Sequence, residues 1–398
     1  MSNFTKLPLI AFPLIFLVFL SKGQVNLNNP PLLSEKSVVS LITGAPGEIL
    51  YTRWGHSAVR IFDPENEFDI VYNYGTFDFK TPGFYPNFIN GKLLYYLSVY
   101  DFRYMIRDYQ YRNLNLFEQQ LDLTLEEKQK VFDYLNNNYK PENRYYLYDF
   151  LFNNCSSIIR DVFEEILGSK LQFNDDYIVE HISFRQLLNK YLEPAPWGEF
   201  GINISLGIPT DQIASSREYM FLPYEMMRAF GTAKLIGSDM QYPFVKFTNM
   251  IYQQRNVQIE KVYLTPMFVF WTLFGLVVLF SFYQYRSGKY FKWIDIALFG
   301  IVGAAGLLFA FMWFGTDHTT TRWNLNILWA SPLHILIPVV LIRKKPFGWL
   351  KYYSIFSIVL ILVNLAGWYF LPQQFHIAII PICLTLTLRL GYLMVYKY

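Results

Sequence analysis

Two residues in this chain have the types and surroundings of a nucleophile and its base. Cys155 is one of two cysteines in 398 residues, and His56 precedes it by 99 positions. The other cysteine, Cys383, falls in a separate apolar region, so a disulfide framework does not explain the thiol. No Cys-x-x-Cys spacing suggests a metal cluster, and no metal or other cofactor is expected. Cys155 sits in Asn153-Asn154-Cys155-Ser156-Ser157, ahead of Ile158, Ile159, Val162, Phe163, Ile166 and Leu167, which recur at helical spacing until Gly168. Asn153 or Asn154 is a natural N-cap, which puts the thiol in the first turn. Unpaired N–H groups and the positive dipole end favour a thiolate there. The same groups suit an oxyanion. His56 opens an alternating run, Gly55-His56-Ser57 followed by Ala58–Asp63. A thiol and an imidazole at two element termini, each flanked by small or polar residues, read as covalent catalysis. A buried structural cysteine and a satisfied core histidine are the plain alternative.

The elements that must position this pair are of mixed type. Ser37–Thr43 is a β-branched run that stops at Gly44-Ala45-Pro46-Gly47, a strand and a turn. Ala58–Asp63 and Phe68–Tyr74, joined by Pro64-Glu65-Asn66-Glu67, predict a hairpin with His56 at its mouth and Asn73-Tyr74-Gly75 at the end of its second strand. Thr124-x-x-Glu127 is a capping box ahead of a helix over 128–138. An aromatic run, Tyr145–Phe152, leads into the cysteine turn. Residues 170–260 carry no recognisable motif.

Charge divides the chain. Residues 263–398 hold ten Lys/Arg and two Asp/Glu, whereas residues 1–262 hold 24 and 29. Charged residues are 16% of the whole and apolar ones 53%, against ~25% charged in a typical soluble domain. Disorder and nucleic-acid binding are excluded for the chain as a whole. Lys6, the apolar run Leu7–Leu20 and Ser21-Lys22-Gly23 predict a signal peptide over 1–23. Residues 24–262 then form an exported domain, and 263–398 a membrane domain. Apolar windows at 263–285, 293–314, 325–342, 352–371 and 375–396 predict about five spans. With the domain outside, Arg286, Lys289 and Lys292, then Arg343–Lys345, and finally Lys397 all fall on the cytoplasmic side, as the positive-inside rule requires. Gly315–Trp323 becomes an outer loop.

A histidine strand followed much later by an Asn-Cys helix resembles the circularly permuted papain-like order of LRAT-like acyltransferases. More closely, Trp54-Gly55-His56-Ser57-Ala58-Val59-Arg60, Tyr72-Asn73-Tyr74-Gly75-Thr76-Phe77-Asp78-Phe79, Asn153-Asn154-Cys155-Ser156 and Gly315-Thr316-Asp317-His318 with Asn324-Leu325-Asn326 resemble, in order, the Lnb family of bacterial lipoprotein N-acyltransferases. The resemblance implies an α+β permuted papain-like exported domain followed by an all-α membrane bundle of about five transmembrane helices. It implies Cys155 as nucleophile and His56 as base, with Asn73 the best candidate to orient the imidazole. Tyr74 and Asp78 are near alternatives for that role and candidate substrate contacts, because strand parity is not fixed by one sequence. Asn153 and Asn154 read as caps. His318 and Arg322 are further candidates for substrate or lipid-headgroup binding, with a solvated loop as the plain reading. His181 reads as surface, and His334 and His376 as packing or interfacial residues.

The implied partners are a phospholipid or diacylglyceryl acyl donor, the N-terminal amine of an apolipoprotein, and the bacterial inner membrane, with the thiol domain in the periplasm. Two other functions fit the same residues. A membrane-tethered cysteine hydrolase of the cell wall would share the chemistry, although one span would serve it as a tether. A sensor would use Cys155 structurally and tolerate its replacement. The aromatic fraction of 19%, with stretches at Phe84-Tyr85, Phe88 and Tyr100–Tyr104, suits contact with a lipid interface as well as core packing.

Overall fold

Strands of six to nine residues, with one of three at the edge, build the sheet of the N-terminal domain. The computed structural model describes residue 27 and residues 30–78, 82–92, 94–237, 240–255, 262–343 and 348–395. The expected signal peptide, Lys344, Lys345 and Lys397 lie outside them. In chain order come β1 (Val38–Gly44), β2 (His56–Asp63), β3 (Phe68–Thr76), α1 (Phe84–Ile89), β4 (Leu94–Asp101), α2 (Phe102–Tyr111), β5 (Leu116–Leu121), α3 (Leu125–Tyr139), β6 (Tyr145–Leu147) and α4 (Cys155–Leu167). The unassigned middle of the sequence holds β7 (Leu171–Gln172), α5 (Phe184–Asn189), α6 (Pro196–Ser205), α7 (Ser216–Tyr219), α8 (Pro223–Thr232), β8 (Lys234–Ile236), β9 (Gln241–Pro243) and β10 (Val245–Tyr252). Seven strands form one sheet in the order β10-β5-β1-β2-β3-β4-β6, and β7, β8 and β9 form a smaller one. All pairings are antiparallel.

The expected hairpin is β2–β3, with Val59 opposite Tyr72. Period-two alternation sends its side chains to two covered faces. Val39, Leu41, Val59, Ile61 and Tyr72 pack with Phe132 of α3 and Ile159 and Phe163 of α4. Ile42, Ala58 and Val71 pack with Phe102, Met105 and Tyr109 of α2. Each such buried side chain is worth ~1.5–3 kcal/mol, so the core fixes α4 against the strand that carries His56. The capping box of α3 forms as expected, with Thr124 accepting from the Glu127 N–H.

The C-terminal region is helical: α9 (Pro266–Ser287), α10 (Trp293–Phe314), α11 (Leu336–Arg343), α12 (Trp349–Ala366) and α13 (Ile379–Val395). Among the described residues α9, α10 and α12 are long and apolar enough to cross a membrane. The expected span at 325–342 is not one straight helix. Short turns over 319–328 and the segment 332–343 are bent by 58°, and together they make a fourth candidate. Pro332 and Pro338, which lack a backbone donor, stand in that stretch. At 17 residues, α13 is shorter than the other three. Arg389 of α13 is fully buried and forks onto Asp295 of α10 at 2.7 Å for both bonds. Ser281 Oγ and Gln284 Oε1 of α9 accept its remaining bonds at 2.8 Å. Charges inside apolar helices are tolerated when paired in this way.

The two regions meet at one end of the bundle. Arg185, almost fully buried, forks onto Asp211 and donates to the Asn203, Leu206 and Gly207 carbonyls, which rigidifies 203–211. That segment receives the loop after α10: Gly207 N–H donates to the Thr320 carbonyl at 2.9 Å, and Asn324 Nδ2 to the Ile204 carbonyl at 2.8 Å. Gln373, between α12 and α13, bonds the same place through Leu325 N–H at 2.7 Å. At the opposite end Lys292 reaches the Leu341 carbonyl, close to Arg343.

Candidate active site

The site is assembled from the start of β2, the end of β3 and the start of α4. Asn154 caps α4: its side chain accepts from the Ser156 and Ser157 N–H groups at 2.9 and 3.0 Å, and the Ser157 hydroxyl accepts from the Asn154 N–H at 2.8 Å. Asn154 Nδ2 donates to the Phe150 and Phe221 carbonyls, which anchors the cap on α8's approach. Cys155 therefore occupies the first helical position. The cap takes the Ser156 and Ser157 N–H groups of that turn, and the Cys155 N–H is not one of its donors. Asn153 instead donates to the Leu147 carbonyl, as a turn residue would.

His56 lies half-buried at the first position of β2, and its Nε2 bonds Asn73 Oδ1 of β3. That leaves Nδ1 for the thiol. Burial pushes the His56 imidazole down, yet the neighbouring Cys155 and Asn73 hold it above its usual value. Burial pushes the Cys155 thiol up, and His56, the Ser57 N–H and the Ser156 hydroxyl outweigh that and hold it below the usual cysteine range. Opposite shifts in two adjacent groups favour a thiolate beside an imidazolium over the neutral pair. Like the imidazole, the thiol keeps an exposed edge.

A second pair of residues locks the first. Ser57 follows His56, Ser156 follows Cys155, and their hydroxyls bond each other at 2.9 Å with both residues fully buried. Ser156 Oγ also lies 4.0 Å from the Cys155 sulfur. The polar flanks in the sequence hinted at this link without revealing it. Gly75 completes the floor. It sits at φ +95° in a bulge between β3 and β4, and a Cβ there would lie 3.7 Å from His56 Cε1 and 3.8 Å from Cys155 Cβ. Bulges of this kind re-aim neighbouring side chains.

Strand parity separates the three candidates for orienting His56. Asn73 reaches it. Tyr72 and Tyr74 turn to the core, where the Tyr74 hydroxyl accepts from Asn138 Nδ2 at 2.8 Å and its ring packs edge-on to Tyr146. Tyr74 is thus not presented to a substrate, contrary to the expectation from sequence. Asp78 is exposed beyond the end of β3, where its charge acts on Tyr96. Tyr95, Tyr146 and Tyr148, with Tyr109 of α2, feel the charge of the thiol instead. Burial and the Cys155 charge push Tyr95 up to about 12 and raise Tyr146 and Tyr148 still further. Tyr95 and Tyr148 stack at 4.4 Å. The aromatic run Tyr145–Phe152 marked Tyr146 and Tyr148 in the sequence, and Tyr95 lies outside it.

The outer loop comes to this site from the membrane side. Thr319 Oγ1 donates to Asp149 Oδ2 at 2.8 Å, and Asp149 belongs to the turn that ends at Asn153. Asp317 N–H donates to the Asn90 carbonyl at 2.8 Å, and Asp317 pairs with Lys92 at 3.7 Å across solvent. Asp317 is therefore turned to Lys92, and His318 is half-buried against Gly91. Arg322 is exposed. Among the described residues no three His, Cys, Asp or Glu side chains gather in a way that would hold a metal ion.

Comparison with known families agrees with this architecture. The model of the Lnb N-terminal periplasmic domain matches residues 33–190, and that of the Lnb transmembrane domain matches residues 258–398. Neither a curated protein nor a solved structure is matched by the chain. Both domains of one family, in order and over most of the sequence, give the conclusion: the chain belongs to the Lnb family and is a membrane protein with a periplasmic N-terminal domain.

Proposed function

We propose that the protein transfers a fatty acyl group from a membrane glycerolipid, through a thioester on Cys155, to the N-terminal amine of a lipoprotein. In this reading residues 1–23 are a signal peptide, 24–262 a thiol domain in the periplasm, and 263–398 a five-span domain in the inner membrane. The observation that carries the reading is the bond from Thr319 of the membrane domain to Asp149, six residues before the thiol. A hydrolase of the cell wall would need a tether, not an outer loop fastened to the cysteine turn.

The Cys155 thiolate attacks the ester carbonyl of the donor, and the Cys155 N–H faces the developing oxyanion. The C–S bond forms, the C–O bond breaks, and the departing lysolipid alkoxide takes its proton from the His56 imidazolium. An acceptor amine then attacks the thioester. His56 removes the amine proton, the C–N bond forms, and the thiolate leaves. The net change is ester plus amine to amide plus alcohol. Asn73, bonded to Nε2, keeps Nδ1 aimed at the sulfur through both halves. His318 and Arg322 contact the lipid headgroup or the acceptor backbone, Arg322 by a two-pronged bond to phosphate.

The test supplies phospholipid vesicles and a synthetic peptide whose N-terminal cysteine carries a diacylglyceryl group. Mass spectrometry should find one added acyl chain on the peptide amine with the wild-type protein and none with Cys155→Ala. Release of free fatty acid with no peptide acylation would favour a hydrolase.

A further inference from the structure

The geometry points to an acyl-chain entrance: the exposed apolar side chains of α1, with the Leu94–Leu147 strand pair, rest in the outer leaflet. From there a row of aromatic rings conducts the fatty chain of a glycerolipid to Cys155. The inference rests on the thioester reading above and specifies how an insoluble donor reaches the thiol.

Depth comes first. α10 ends at Phe314, and three residues later Asp317 bonds the Asn90 carbonyl at the end of α1. Gly91 is pressed so closely on this loop that a Cβ would lie 2.8 Å from His318 N. Helix α1 is thus held level with the outer end of a membrane helix. Trp313, Phe314 and Trp323 cluster at that same level, with ring centroids 4.6 and 5.2 Å apart. Aromatic belts of this sort mark the boundary between hydrocarbon and water.

The surface held there is apolar. Tyr85, Phe88 and Ile89 of α1 are exposed, and so are Leu94 and Leu147, which face each other across β4 and β6. A contiguous exposed patch of this kind marks a site of interaction, and its continuity with the membrane helix makes lipid the occupant.

A row of rings leads inward from the patch. Phe88 stacks with Phe84 at 6.0 Å and Phe84 with Phe77 at 6.0 Å, Phe77 lies tilted on Tyr95 at 5.0 Å, and Tyr95 stacks with Tyr148 at 4.4 Å. Tyr95 also packs edge-on to Tyr146 at 6.4 Å, Tyr146 packs edge-on to Tyr74 at 6.0 Å, and Tyr74 adjoins Gly75, where a Cβ would lie 3.8 Å from Cys155 Cβ. The row therefore begins at the lipid and leads to the rings packed around the floor of the thiol site. Its apolar wall suits a hydrocarbon chain, and phospholipid and diacylglyceryl donors share that chain.

The test uses the full chain carrying Cys155→Ala, so the readout does not depend on acyl transfer. The protein is placed in nanodiscs of phosphatidylcholine doped with a phosphatidylcholine whose acyl chain ends in a diazirine. Irradiation and peptide mapping should find cross-links on Phe77, Phe84 or Tyr95 as well as on the spans. Introducing Phe88→Glu and Ile89→Glu should lower the domain cross-links roughly tenfold relative to those on α9, because carboxylates resist the lipid interface. Cross-links confined to residues 263–398 in the protein without the lip substitutions would overturn the entrance. So would domain yields that the two glutamates leave unchanged. A clear cross-link on the row, with no acyl chain ever found on wild-type Cys155, would keep the entrance and sink the thioester reading instead.

Discussion

Ser156→Ala, Ser57→Ala and the double substitution form a cycle whose energies follow from the buried hydroxyl pair. The two oxygens are 2.9 Å apart and both residues are fully buried. Removing Ser156 Oγ leaves the Ser57 hydroxyl in a dry site without that bond, at a cost of about 1–3 kcal/mol. Removing Ser57 Oγ leaves Ser156 with a sulfur at 4.0 Å as a weak partner, so its cost falls at the lower end of the same range. In the double variant both polar groups are gone, and the cost should be well below the sum. The expected coupling is therefore roughly 1–3 kcal/mol, against ~0.3–0.5 kcal/mol for independent sites. Hydrogen exchange of the first-turn amides of α4, measured in the full chain in detergent, reads the local opening energy. Alkylation of Cys155 across pH supplies a second axis. Ser156→Ala should move the reactive midpoint upward, since its hydroxyl helps hold the thiol down, whereas Ser57→Ala keeps the backbone N–H that does the same. Additive energies across the cycle would show that this link does not hold α4 to β2.

Other consequences are open to measurement. Cys155→Ala and His56→Ala should each reduce lipopeptide acylation to background while membrane insertion is retained, which an activity assay beside a detergent gel-filtration profile would show. Cys155→Ala should also lower the His56 pKa, because burial remains and the main raising partner is gone; an imidazole NMR titration reads the sign. The working state needs a deprotonated thiol and a protonated imidazole, so wild-type alkylation should persist below the usual thiol pKa and fall once the thiolate protonates. Gly75→Ala should cost ~1–2 kcal/mol through its positive φ and slow thioester formation about 100-fold, because relieving that φ shifts the backbone packed against both reactive groups. Cysteines placed beside His318 and Arg343 should react with an impermeant thiol reagent from outside only at the first; the reverse pattern would invert the topology.

Much of the site was legible because its signals are local. An Asn-Cys pair before a 3.6-residue periodicity reads as a capped helix with a thiol in its first turn, and Asn154 forms that cap. The β2–β3 hairpin was equally plain from alternation and its Pro-containing turn. What sequence left open was parity. Asn73 and Tyr74 are neighbours, and the register of β3 on β2, with Val59 opposite Tyr72, decides which one faces His56. The Ser57–Ser156 bond, the tyrosines beside the thiol and the docking of 203–211 on the outer loop join residues far apart in the chain, which no local pattern encodes. The bent segment at 319–343 carried a cue in its prolines, and hydropathy averaging concealed it.

The most direct test of the central proposal is the mass of Cys155 itself. Wild-type protein incubated with phospholipid vesicles and no acceptor should yield a Cys155 peptide heavier by one fatty acyl chain. Hydroxylamine should remove that mass, and His56→Ala should fail to acquire it. An unmodified Cys155 under conditions in which the lipopeptide becomes N-acylated would contradict the account, as would a stable acyl group on another residue.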